Sequence, residues 1–224
     1  MILSAHQIHF MPGLRFFSKM RQSDLFVFLD DVQYEKREFQ NRNKIKTSYG
    51  FQYLTVPVIT KGRFNQIIKD VEINNSYNWK TEHLKAIEIN YAKAKYFYKY
   101  FPELVKIYNS DYNKLIDISL KLIDFFRKHL NIKTPFVFSS SLNIDKKSTE
   151  RLVELCKRLN ADMYLSGRGA KSYLDEKEFE KADIKVIWQD FEVKEYPQLY
   201  GKFLADLSTL DLLFNCGEYS VNYI

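Results

Sequence analysis

Glycine and proline are scarce here, with 7 and 5 among 224 residues. That composition argues against long flexible or polyproline linkers. The two cysteines, Cys156 and Cys216, lie far apart with no CxxC partner, which argues against a disulfide framework or a zinc cluster. Cys156 falls on an apolar helical stripe and reads as core. No apolar run approaches the ~18 residues that would cross a bilayer. The N-terminus has no basic region followed by an apolar segment and a small-residue cleavage site, so no signal peptide is expected. These absences point to the cytoplasm, with the inner face of a membrane as a further option. No internal repeat or low-complexity tract is visible.

What is present suits a globular chain of one large domain or two small ones: 46% hydrophobic and 28% charged residues. Eighteen Phe and sixteen Tyr supply a core and leave aromatics over for binding faces. The net charge of +6 permits an anionic ligand. The cations form no dense tract, and no RRM, zinc-finger or basic-zipper pattern occurs, so no nucleic-acid partner is expected. A nucleotide or phosphosugar explains the charge equally well.

Polar chemistry is densest between 24 and 58. Leu25–Leu29 reads as a buried strand ending in Asp30 and Asp31. A polar loop with Tyr34, Arg37, Gln40, Asn41, Arg42 and Lys44 follows, and Gly50–Val58 reads as a second strand of the same sheet, ending at Pro57. Ile67–Ile73 is a candidate partner for it. In open α/β sheets, loops at the C-terminal strand ends present ligand groups. Arg and Lys suit phosphate, while Asn and Gln read sugar hydroxyls or base edges. The bland alternative is a solvated connection.

Before this stretch, Met1–Ala5 reads as the first strand, followed by a loop with His6, Gln7 and His9 and a helix from Leu14. Pro12 and Gly13 suit the turn into that helix. Strand, helix and strand in succession predict a parallel pair. His6 and His9 could serve as acid and base or contact phosphate. A metal is not predicted, because no third ligand has recognisable spacing. Periodic apolar residues predict helices over 79–94, 96–108 and 112–130, with a break or helix start at Pro102. Strand–helix alternation then resumes with strands at 135–138, 161–165 and 184–188. A helix over 148–159 would be capped by Ser148, and a last helix over 210–214 would be capped by Ser208 and ended by Gly217. Asp211 and Asn215 share one face of it. Ser166, Gly167, Arg168, Gly169 and Lys171 follow a strand. This Ser-Gly-x-Gly loop could bring backbone N–H groups to an anion, with Gly167 and Gly169 free to adopt positive φ. It could equally be an ordinary strand–helix turn.

The predicted architecture is α/β, a mostly parallel, Rossmann-like three-layer sheet with an inserted or appended helical subdomain. Residues 1–76 and 132–224 form the two halves of the core, the second with a C-terminal helix, and 77–131 form the helical part.

Several blocks occur in order: LDDVQY (29–34), QNRNKIK (40–46), LTVPV (54–58), YLSGRGAKSYLD (164–175), YPQLYGKF (196–203) and LSTLDLLFNCG (207–217). Together with Gln7 and Pro12, they make nearly the whole chain resemble the WbqC-like family of bacterial proteins. The family loop often reads Gln-Pro-x-Tyr-x-Pro, and here Ile8 and Phe10 replace the first Pro and the Tyr. The resemblance implies a role in surface-polysaccharide or O-antigen biosynthesis, on a sugar carried by a nucleotide. The reading that follows is an N-acyltransferase for a nucleotide-linked amino sugar, with a coenzyme A thioester as acyl donor. His6 or His9 would be the base, oriented by Asp30 or Asp31. Asn41, Arg42 and Lys44 would bind diphosphate or sugar, and Gly167–Lys171 a second anion. Gln7, Tyr34, Arg37, Gln198, Asp211 and Asn215 complete the candidate site. The HxxH loop leaves nucleotidyl transfer open as an alternative, with Asp30 or Asp31 as metal ligand. A non-catalytic sugar-binding or assembly protein is a further one. Homo-oligomerisation is left open.

Overall fold

A computed structural model describes residues 1–224. In chain order it forms β1 (Ile2–Gln7), α1 (Leu14–Arg21), β2 (Leu25–Leu29), β3 (Arg42–Thr47), β4 (Gly50–Thr55), α2 (Trp79–Tyr91), α3 (Phe97–Asn109) and α4 (Leu115–His129). The second half forms β5 (Phe136–Phe138), α5 (Ser148–Arg158), β6 (Met163–Ser166), α6 (Glu176–Glu180), β7 (Lys185–Trp188) and α7 (Thr209–Cys216).

Five strands form one sheet in the order β5-β2-β1-β6-β7, and every neighbouring pair is parallel. The chain builds outward from β1 through β2 to β5, then crosses to the other side of β1 for β6 and β7. The order therefore reverses between β1 and β6, the place where open α/β sheets leave a ligand crevice at their C-terminal edge.

Alternate side chains send the sheet into two cores, as the two-residue strand period requires. Phe26 and Phe28 of β2 join Phe16, Phe17 and Met20 of α1 and residues of α2, α3, α4 and α7 in one cluster. Val27, with Leu3 and Ala5 of β1, faces Val153, Leu155 and Cys156 of α5 and Phe179 of α6. The result is the expected three-layer α/β arrangement. The helices of 77–131 share their core with α1 and β2, through contacts such as Phe17 against Phe126, ring centroids 5.6 Å apart. Each fully buried Phe of this kind contributes about 1.5–3 kcal/mol. Cys156 is core, as expected, and burial pushes its thiol up to about 12.

Several local expectations are corrected. Residues 42–47 are not a loop. They form β3, which pairs antiparallel with β4 in a separate two-stranded sheet, Lys44 opposite Tyr53. The reason is visible in the alternation: Asn43 and Ile45 turn inward while Arg42 and Lys44 stay outside. Residues 51–58 therefore do not return to the main sheet, and they pair with 67–73 through a single bridge, Val58 to Ile73. Pro102 lies inside α3 without breaking it. Ser148 does not cap α5. The first turn closes on the Lys147 carbonyl (Arg151 N–H, 3.2 Å), so Lys147 is the boundary residue. Ser208 does cap α7, accepting the Leu210 N–H at 3.3 Å. Gly217 ends that helix at φ +58°, with the Tyr96 ring where a Cβ would stand.

Candidate functional site

Strand β1 runs two residues further than expected, so His6 and Gln7 are its last residues and only His9 lies on the loop. This puts His6 at the C-terminal edge, across the crevice from Ser166 at the end of β6. Two hollows open there. The larger, about 710 Å³, is bounded by Gln7, Val32, Glu35, Thr149, Arg151 and Ser166. The smaller, about 340 Å³, is bounded by Arg15, Arg168, Gln189 and Phe191. His6, Lys19, Gly167 and Gly169 line both.

Burial works against the charged forms of His6, His9 and Lys19. The His6 Nδ1 lies 2.8 Å from the Gln7 carbonyl, so Nδ1 donates and Nε2 keeps its lone pair. Its ring stands perpendicular to that of His9, centroids 4.6 Å apart, and packs on Phe16. Burial, with the charges of Lys19 and His9 added, takes His6 well below the usual imidazole range. Burial and Lys19 bring His9 to about 4. Lys19, only 5% exposed, donates from Nζ to the Ala5 carbonyl at 2.9 Å, and burial lowers it to about 7. Each is an expected consequence of moving a cation out of water with no acid to meet it.

The rim is tied down by amides. Gln40 donates to Gln7 Oε1 at 2.8 Å and accepts the Glu35 N–H at 2.9 Å, which fastens the 35–40 segment to the end of β1. Gln189 bonds the Ser166 carbonyl through its N–H, 2.7 Å, and the Arg15 carbonyl through its side chain, 2.9 Å. Gly167 and Gly169 depart from expectation. Neither has positive φ, and residues 168–172 form a 3-10 turn and not an α-helix. A Cβ on either glycine would meet nothing within 4 Å. Neither the backbone nor packing needs glycine there, and both positions leave open space facing the hollows. Arg168 is paired with Asp190, and the Lys171 ammonium sits 5.3 Å over the Trp188 ring.

Other candidates are placed elsewhere. Asp30 accepts the Ser140 N–H (2.9 Å), the Ser140 hydroxyl (2.6 Å) and the Ser139 hydroxyl (3.3 Å). Asp31 takes the Ser139 hydroxyl and the Arg151 guanidinium, the latter at 2.5 Å. Burial works upward on Asp31, but Ser139 and Arg151 together hold it below the usual carboxylate range. Neither acid bonds an imidazole, so the expected orienting role is not what these contacts serve. They anchor the turn after β5 and the start of α5. Tyr34 is buried, and burial pushes its phenol up to about 12 against the charge of Arg42. Asn41 is buried and donates to the Val56 carbonyl at 2.9 Å. Arg37 turns at φ +67° and offers its carbonyl to Arg42. Arg42 lies 4.4 Å over Tyr53, and Lys44 4.7 Å over Phe51, on the outer face of the hairpin.

Gln198, Asp211 and Asn215 belong to a buried network between hairpin and α7. Asp211 accepts from Tyr91 at 2.9 Å and Gln198 at 2.8 Å, Lys46 donates to Gln198 Oε1 at 2.8 Å, and Asn215 bonds the Asp211 carbonyl at 2.8 Å. Thus the structure gathers His6, Gln7, His9, Ser166, Gly167, Arg168 and Gly169 and disperses the rest.

Lys19, Arg15, Arg151 and Gln189 escaped the sequence reading. One signal was available: in Phe16-Phe17-Ser18-Lys19-Met20, Lys19 stands three residues from Phe16, on the apolar side of α1. No cluster of three or more His, Cys, Asp or Glu is arranged to hold a metal ion.

Comparison with known proteins agrees with the resemblance in the sequence. An uncharacterized protein of Mycobacterium tuberculosis (strain ATCC 25618 / H37Rv), Rv1507c, is 37% identical over 220 residues, covering 97% of this chain and 95% of the relative. No solved structure matches. The model of the WbqC-like protein family matches residues 7–223, and the chain belongs to that family.

Proposed function

We propose that the protein is a transferase that joins an acyl group to the amine of a nucleotide-linked sugar, of the kind used in bacterial surface polysaccharides. The observation that carries this reading is the pair of hollows meeting at His6 and Lys19. A two-substrate transfer needs two seats and a proton acceptor where they join. Both volumes fall within the ~300–1,000 Å³ usual for small-molecule sites, at least for the larger part of a ligand. The smaller seat has Arg15 and Arg168 for a phosphate-bearing donor such as a coenzyme A thioester, and glycines that let phosphate come close. The larger seat offers Gln7, Glu35, Thr149 and Ser166, which suit sugar hydroxyls.

Binding would place the amine nitrogen and the thioester carbonyl at the shared wall. Neutral basic groups there can take the proton as the nitrogen attacks. The nucleotidyl-transfer alternative asks Asp30 or Asp31 to serve a metal, yet both Asp30 oxygens accept from Ser139 and Ser140, and Asp31 Oδ1 accepts from Ser139 and Arg151.

The test is thiol release and product mass with acetyl-coenzyme A and a panel of UDP- and dTDP-linked amino sugars. A product heavier by one acetyl group supports the reading. No thiol release above background with any pair, for protein stabilised by one of the sugars, would remove it in favour of a sugar-binding protein.

A further inference from the structure

We propose that the amine of Lys19, and neither imidazole, is the base that accepts the proton from the attacking nitrogen. The inference rests on the transfer reading above and names the residue that performs its proton step.

Two geometric facts carry it. Lys19 reaches from α1 to the wall shared by both hollows, where substrates on either side would meet. Its nitrogen has one protein partner, the Ala5 carbonyl at 2.9 Å, and no carboxylate within ion-pair distance. Donation of one N–H to Ala5 leaves the neutral amine its lone pair. The imidazoles are the weaker candidates. His6 shares that wall and keeps the Nε2 lone pair, but burial takes it well below the usual imidazole range, which makes it a poorer base. His9 packs between Phe16 and Phe39, with ring centroids 6.1 and 5.9 Å away.

The charged neighbours leave the amine without a counter-ion. On its own helix Arg15 pairs with Asp206, across the smaller hollow Arg168 pairs with Asp190, and across the larger one Arg151 pairs with Asp31. His6 and His9 lie beside it with their charged forms disfavoured, and Glu35, which lines the larger hollow, makes no ion pair with it. Burial brings the amine to about 7, where a base is most effective at cellular pH.

The step balances without a further reactant. The C–N bond forms as the thioester C–S bond breaks. The proton passes from nitrogen to Lys19 Nζ, and from there to the departing thiolate, which leaves as the thiol. Lys19 ends as the free amine.

Two measurements decide it. The first uses the wild-type protein without substrate: trace acetylation with acetic anhydride between pH 5 and 11, followed by complete labelling with the deuterated reagent and mass analysis of the Lys19 peptide. The expected midpoint is near 7, against about 10.4 for ordinary lysines. A midpoint in the ordinary range overturns the proposal. The second is the pH profile of kcat/KM. Wild type should rise through about pH 7, and Lys19→Met should lose about a hundredfold in kcat, within the range of a missing general base. Lys19→Arg, which keeps the charge and cannot deprotonate, should give no rescue. A Lys19→Met protein with more than a third of the wild-type kcat sinks the proposal while leaving the transfer reading standing. Absence of turnover in the wild type sinks that reading instead.

Discussion

The Tyr91 hydroxyl sits between two buried groups, donating to Asp211 Oδ1 at 2.9 Å and accepting the Lys46 N–H at 2.8 Å. One oxygen therefore ties α2 to α7 and to the hairpin strand β3. Tyr91→Phe keeps the ring packing and strands both partners, each buried. We expect a loss of about 2–3 kcal/mol, toward the upper end for an unsatisfied buried pair, read as a lower urea midpoint at unchanged m-value.

Asp211 gives the fold a pH dependence. Burial raises its carboxyl from 3.8 to about 6, against the hydrogen bonds from Tyr91 and Tyr196 and the charge of Lys46. A folded value above the unfolded one means that protonation favours the fold. The contribution is full below about pH 4 and is lost as pH rises through about 6. The shift corresponds to about 3 kcal/mol. Urea titrations between pH 4 and 7.5 should show Asp211→Asn lacking this slope. Equal slopes for the two proteins would count against it.

Gly167 and Gly169 separate folding from binding. With ordinary φ and no atom within 4 Å of an added Cβ, Gly167→Ala or Gly169→Ala should change stability by no more than about 0.5 kcal/mol. A methyl in the space facing both hollows should still weaken the best nucleotide-sugar ligand about tenfold, or 1.4 kcal/mol. Thermal shifts and calorimetric titration on the same variants give the two numbers. Equal affinity would mean that no ligand approaches there.

Gly217 is the contrasting case. At φ +58° an added Cβ would fall 2.5 Å from the Tyr96 ring. Gly217→Ala should cost more than about 2 kcal/mol from strain and clash together, and Tyr96→Ala in the same chain should recover part of it.

Asp30→Ala tests the anchoring role. It removes the acceptor for Ser139 and Ser140 and should lower stability by about 1–3 kcal/mol. Ligand affinity should stay within about twofold. A selective loss of affinity at unchanged stability would return Asp30 to the site.

The sequence by itself determined the α/β class, the helices of 77–131 and most strands, because each depends on a local period that neighbouring residues display. It also marked His6, Gln7 and the Ser166–Gly169 loop, which terminate β1 and β6. Only the tertiary structure decided that these two strand ends are neighbours, since β1 and β6 pair across more than 150 residues of chain. It alone buried Lys19 without an acid, an effect of surroundings drawn from several elements. It also moved Asn41, Arg42 and Lys44 away: their alternation suits a hairpin strand, but polarity made them read as a loop. Asp30 and Asp31 looked catalytic for the same reason. A carboxylate's role depends on which donors the fold brings to it, and here those donors are Ser139, Ser140 and Arg151.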